Sequence, residues 1–389
     1  MKVFVVNGSP KAELSVTLQY VRFLAKHSPQ HDFREFHLAK ELHKLEKKPE
    51  ALEALKREME SADAILWAFP VYYFLVPAGL KRLVELLTED PDWRGVTGKA
   101  ASALSTSIHF FDHTAHAYMR AVSEDLGMRV LPGYSARMED LMKAGAQQSL
   151  LTFIEELRVL AEQADLPVPR AFAPVKHRNP KGLPKAKGTA GPKAPGRIVL
   201  VTDNGSEKLQ AMQEVFCARL GVDVDRVNLD SLRMDSACVG CLRCAWSGRC
   251  IFNDEVAPAW EKLLAADGLI FAGVTRDRFL SATWKTFLDR SFFHGHRPVL
   301  AGKRAVWLID GPLSQLATLR DVLEGHASVA GLQLLDLIDG EQASGPALGE
   351  LLEACADRFS RGLISQMRRP RLFPGVAGLK LFRDFVYLT

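Results

Sequence analysis

Residues 63–81 and 267–285 of this 389-residue chain are two versions of one pattern. Each opens on an aspartate and runs through an apolar stretch, Ala-Ile-Leu-Trp-Ala-Phe from Ala64 and Gly-Leu-Ile-Phe-Ala-Gly from Gly268. Each then crosses a polar or aromatic loop and closes on a lysine, Lys81 or Lys285. The match extends outward. Gly98-Lys99 ahead of one apolar run parallels Gly302-Lys303 ahead of another, and residues 3–7 parallel residues 198–202. A chain built this way must fold one unit twice, and a length of 389 residues agrees, because a single core rarely grows past about 250–300 residues.

Composition restricts the class. With 47% hydrophobic and 25% charged residues and no apolar run near twenty, the chain reads as a globular protein without a membrane span. Met1-Lys-Val-Phe lacks a signal-peptide pattern, so a cytoplasmic location is expected. The net charge of +4 concentrates in two places. Residues 175–197 carry seven Lys/Arg and no acid among several prolines, which reads as a basic linker over 169–196. No interleaved aromatics or recognition fold accompany it, so no nucleic-acid partner is expected. The second basic region is the tail, 369–389, an amphipathic segment that can touch a membrane surface weakly or dock onto its own domain.

Each half alternates strand and helix patterns. In the first, strands are expected at 2–7, 33–37, 64–69, 100–105 and 129–133, with helices between them and a closing helix at 147–163. The second repeats the order from 197 onward. Apolar strands without polar alternation, separated by helices, imply a parallel sheet covered on both faces. The expected fold class is therefore α/β: two tandem flavodoxin-like doubly wound domains, 1–168 and 197–368, each with a five-stranded parallel sheet of order 2-1-3-4-5. Ligands of such sheets sit at the carboxyl edge, near the switch point between the first and third strands.

Three loops of the first half converge on that edge. Asn7-Gly8-Ser9-Pro10-Lys11, with Ser15 and Thr17 heading the first helix, offers backbone N–H groups, hydroxyls and a cation to a phosphate. Pro70-Val71-Tyr72-Tyr73-Phe74 can wall one face of a flat aromatic ligand. Ser105-Thr106-Ser107-Ile108 leads toward His113 and His116, adding hydroxyls and imidazoles.

These motifs, with Pro77 and Leu80-Lys81 after the second loop, resemble the NAD(P)H-dependent FMN reductase branch of flavodoxin-like proteins. The resemblance implies that Ser9, Lys11, Ser15 and Thr17 hold the FMN phosphate, that residues 70–74 hold the isoalloxazine, and that residues 105–108 meet its other edge beside His113. It implies NAD(P)H as hydride donor, with His113, His116 or Tyr118 only tuning or gating the ring.

Four of the six cysteines form Cys238-x2-Cys241-x2-Cys244-x5-Cys250, while Cys217 and Cys355 read as core thiols. The spacing can present four thiolates to a [4Fe–4S] cluster; zinc and free redox thiols remain open alternatives. With Gly248-Arg-Cys250 and Asp254-Glu255, the segment resembles the iron–sulfur flavoproteins, in which one subunit's cluster lies near the other's FMN.

The halves are asymmetric. The second phosphate loop, Thr202-Asp203-Asn204-Gly205-Ser206-Glu207, carries acids that repel a phosphate, and Val274-Thr275-Arg276-Asp277 replaces the ring loop. We therefore expect an intramolecular pseudo-dimer, with FMN in the first half, cysteines in the second, and residues 276–278 and 289–297 lining a shared face. The expected activity is an FMN oxidoreductase passing electrons from a nicotinamide donor to an acceptor such as a quinone, nitroaromatic, ferric complex or protein. The alternative is a flavodoxin-like electron carrier without NAD(P)H turnover.

Overall fold

The computed structural model describes residues 1–163, 167–178, 182–188, 191–203, 205–295 and 298–388, with side chains to residue 384. Contacts divide the chain into unit 1, Met1–Pro174 with Cys238–Gly240, and unit 2, Val175–Ala237 with Cys241–Thr389.

Unit 1 alternates β1 (Lys2–Asn7), α1 (Val16–His27), β2 (Asp32–His37), α2 (Leu38–Lys47), α3 (Pro49–Ser61), β3 (Ala64–Pro70), α4 (Ala78–Thr88), β4 (Ala100–Thr106), α5 (Asp112–Asp125), β5 (Arg129–Val130), β6 (Tyr134–Ala136) and α6 (Ala144–Glu162). The sheet is parallel in the order β2-β1-β3-β4-β5, with β6 also pairing β4. The expected fifth strand is thus two short ones, because Pro132-Gly133 breaks it. Pro lacks a ladder donor, and a Cβ on Gly133 would sit 2.1 Å from His116 Nδ1. Helix α2, unforeseen, has a legible signal in Leu38, Leu42 and Leu45 at i, i+4, i+7 among lysines and glutamates. Leu38 and Leu45 are buried.

Unit 2 repeats the plan with β7 (Ile198–Thr202), α7 (Glu207–Leu220), β8 (Val224–Asn228), α8 (Arg243–Ser247), α9 (Val256–Ala265), β9 (Gly268–Val274), α10 (Ala282–Arg290), β10 (Arg304–Asp310), α11 (Ala317–Ala330), β11 (Gln333–Asp339), α12 (Gly345–Ile364) and α13 (Phe373–Leu388). Its sheet runs β8-β7-β9-β10-β11, the same 2-1-3-4-5 order. The repeat reaches the interior. Lys81 lies fully buried 2.8 Å from Glu85 in α4, and Lys285 pairs with buried Asp289 at the same i,i+4 spacing in α10. A buried ammonium is tolerated only beside such a carboxylate.

Within unit 2, buried Asp289 pairs with Lys285 and buried Arg290 with Asp254, since charges on the inner side of an amphipathic helix need partners; Arg278 is buried as well. His296 and Arg297 lie outside the described residues. The basic segment after Val175, moreover, is more than a solvated tether. It has no acid of its own, but unit 2 supplies them: Glu341 accepts from Arg178 N at 2.6 Å and Glu353 from Lys187 N and Gly188 N at 2.8 and 3.0 Å. Glycines on α12 make room, since a Cβ on Gly349 would lie 2.5 Å from Lys185 O.

Candidate flavin site

In unit 1 the polar loops fall at the carboxyl ends of β1, β3 and β4, adjacent strands whose register sets Asn7 opposite Ala68 and Pro70 opposite Thr106. Asn7 is the hub, and the residue reading missed it. Fully buried, it donates from Nδ2 to Ala12 O at 3.0 Å, lies 3.1 Å from His37 Nδ1, and accepts from Ser9 N at Oδ1, 3.1 Å. An Asn ending a strand just before a glycine turn was the available signal. Gly8 fits because Leu80 lies beneath it, 2.8 Å from where a Cβ would be.

Ser9 and Ser15 are buried at this edge, and Lys11 is exposed beside them. Ser15 is the N-cap of α1, yet its hydroxyl accepts nothing from the helix, which leaves the first-turn N–H groups without a side-chain cap among the described residues. Thr17 and Thr106 hydroxyls meet at 2.6 Å, tying the helix start to the end of β4. The nearby acid Glu13 is paired with Lys40. Hydroxyls, amides and one lysine, without an unpaired carboxylate, suit a phosphate dianion.

The ring loop turns tightly. Tyr72 N donates to Leu75 O at 2.8 Å and Leu75 N returns to Tyr72 O at 3.0 Å, forcing Tyr73 and Phe74 to φ of 40° and 64°. His109 and Phe111 are also left-handed, at 58°. Each such residue costs about 1 kcal/mol, and five beside one sheet edge, counting Ala12 of the phosphate loop at 46°, mark a site where loop shape outweighs local strain. Phe74, Phe110 and Phe111 pack with centroids 4.2–5.6 Å apart, with the exposed His113 ring tilted 33° against Phe111 at 5.4 Å. Tyr118, expected with His113 and His116 to tune or gate the ring, is fully buried on α5.

Two imidazoles sit in different surroundings. His116 Nε2 lies 2.7 Å from Ser105 Oγ, and burial pushes it down to about 4, so it is neutral at pH 7. His109 Nδ1 lies 3.0 Å from Asp112, which also accepts from Ser135 at 2.6 Å. Burial raises the Asp112 carboxyl, but these hydrogen bonds outweigh it and hold the group below its usual range. Ser135, on β6, had no signal beyond its place after a glycine.

The matching place in unit 2 is already filled. Ser206 caps α7, accepting from Leu209 N at 2.9 Å, and its hydroxyl donates to Asp310 at 2.6 Å. Lys208 also meets Asp310, at 3.1 Å. Asp310 ends β10 as Thr106 ends β4. Buried Asp203 follows β7, its carboxyl pushed up to about 6 by burial, with Ser281 donating at 2.8 Å. Unit 2 thus supplies its own anion where unit 1 presents unanswered donors, and its residues do not fit a flavin phosphate.

The cysteine loop is anchored at its base. Buried Arg290 pairs bidentately with Asp254 at 2.7 and 2.9 Å and donates to Ser236 O at 2.8 Å. Cys244 is pushed up by burial and by neighbouring Cys241 and Cys250, so these three thiols lie within electrostatic reach. Among the described residues, however, no three His, Cys, Asp or Glu side chains converge closely enough to hold a metal ion. The thiols as arranged do not form a closed donor set. Cys355 is buried and Cys217 is pushed up to about 11 by burial, both behaving as core thiols.

An iron–sulfur flavoprotein of Archaeoglobus fulgidus is 32% identical over 83 residues, which is 21% of this chain and 37% of that protein; the chain thus spans little more than a third of its length. Among solved structures, an NADH:FMN oxidoreductase aligns at 20% identity and TM-score 0.36, over 41% of this chain and 88% of that one. The flavoenzyme NAD(P)H:(acceptor) oxidoreductase FerB of Paracoccus denitrificans aligns at 20% and 0.35, over 42% and 98%. A family model described as NADPH-dependent FMN reductase matches residues 1–140 and again 202–334, well over half of the chain and both of its repeats. The chain belongs to the NADPH-dependent FMN reductase family.

Proposed function

We propose that this oxidoreductase binds one FMN, in unit 1, and that it takes hydride from a nicotinamide donor for delivery to a separate acceptor. The observation carrying this reading is the contrast between the two repeats: Ser9, Ser15 and the α1 N-terminus offer donors without an acid, while Asp310 and Asp203 fill the same place in unit 2. Bound flavin supplies the hydride-accepting chemistry. The chain supplies the rest. Lys11 and the α1 amides hold the phosphate, residues 70–74 orient the ring, and Ser105–His116 fixes the edge with a neutral imidazole. Anaerobic titration with NADH and NADPH tests it: bleaching of the flavin band by either donor supports the reductase reading. A flavin reduced only by a protein partner would make the chain an electron carrier.

A cluster on Cys238, Cys241, Cys244 and Cys250 is a second reading, supported by their spacing and by likeness to the iron–sulfur flavoprotein. It requires the loop to close beyond its arrangement here. Iron and sulfide analysis after anaerobic preparation tests it, with zinc or four alkylatable thiols as the contrary results.

A further inference from the structure

We infer that the outer face of α13, with the arginines preceding it, is a docking surface for an anionic lipid bilayer. The segment from residue 362 to 383 contains no acid and carries Arg368, Arg369, Arg371, Lys380 and Arg383. Helix α13 is fixed on its inner side, where Gly375 and Gly378 are buried and a Cβ on Gly375 would lie 2.5 Å from Ser328 Oγ on α11. That packing turns the opposite side out. Phe373, Val376, Lys380 and Arg383, at i, i+3, i+7 and i+10, share the outward face. Phe373 is 83% exposed, Leu372 59% and Val376 53%.

Three neighbouring exposed apolar side chains at one helix end, set among exposed arginines, are costly to leave in water and unlike an ordinary charged surface. Among the described residues no carboxylate pairs with Arg368, Arg369 or Arg371. Beside them lies a cavity of about 360 Å³ lined by Arg320, Arg369, Arg371, Leu334 and Leu372; its two acids, Glu324 and Asp336, are each paired, with Arg320 and Arg358. Ser328 Oγ, also on this cavity, is buried without a hydrogen-bond partner. Guanidinium groups around an apolar-floored pocket suit lipid phosphates, while Leu372, Phe373 and Val376 suit the acyl boundary. The charge favours a bilayer over a second copy of the chain, whose matching patch is equally positive.

Co-sedimentation of the full chain with phosphatidylcholine vesicles, with and without phosphatidylglycerol, tests this. Binding should appear only with phosphatidylglycerol and weaken with added salt. The triple variant Arg368→Gln, Arg369→Gln, Arg371→Gln should weaken it roughly a hundredfold at low salt. Leu372→Ser, Phe373→Ser, Val376→Ser should weaken it without changing the salt slope. All six residues are exposed, so circular dichroism and flavin content should stay as in the parent protein. Equal binding to neutral vesicles, or binding unchanged in both variants, overturns the inference. So does displacement by inorganic phosphate beyond ionic-strength-matched chloride, which would make the pocket a free-anion site. Self-association without vesicles that the apolar variant abolishes would assign the face to a second copy.

Discussion

On the proposed reading, single residues decide which repeat takes the flavin. Asn7→Ala removes a fully buried amide that ties Ser9 and Ala12 of the phosphate loop to His37 at the end of β2. The change should cost about 1–3 kcal/mol of stability and weaken FMN binding at least about tenfold in fluorescence titration. Titration of buried groups gives a second expectation. His116 and His326 are both held at about 4 by burial, whereas an unfolded histidine protonates near 6.5. The unfolded chain therefore binds more protons between those values, and stability falls as pH drops from about 6.5 toward 4. Asp203 acts in the opposite sense: raised to about 6, it stays protonated in the folded state where the unfolded group has ionised, so it costs stability as pH rises from about 4 to 6. Melting temperatures measured between pH 7 and 5 should decline less in His326→Gln and more steeply in Asp203→Asn. Ser9, Ser15 and Thr17 could be read from a glycine turn feeding a helix. The roles of Asn7, His109 and Ser135 could not, because they depend on hydrogen bonds that close only in three dimensions.

Among elements, the repeated order of strands and helices was legible because buried parallel strands are continuously apolar and the two copies reinforce one another. What escaped was whatever tertiary context overrides. Pro132-Gly133 splits the fifth strand, and acids distant in sequence anchor a segment that looks unpartnered by composition. Glu353→Gln should leave Lys187 and Gly188 amides with a weaker acceptor. Limited trypsin digestion should then cut at Lys185 and Lys187 faster than in the parent chain; an unchanged rate would return the segment to a simple tether. In α10, Lys285→Met removes the ammonium beside buried Asp289. It should cost about 3–5 kcal/mol in urea denaturation, far more than an exposed pair would.

For the whole molecule, the proposed reading makes the two copies unequal in ligand binding. In unit 1 the N-terminus of α1 keeps donors without an acid. In unit 2 Ser206 and Lys208 are spent on Asp310, so a phosphate entering there would meet a carboxylate already in place. The account's central claim is that asymmetry, and flavin stoichiometry tests it most directly. Released FMN should be one per chain, should vanish in Ser9→Asp, where a carboxylate faces the phosphate, and should be unchanged in Asp310→Asn. Two FMN per chain, or a Ser9→Asp variant that keeps its flavin, would contradict it.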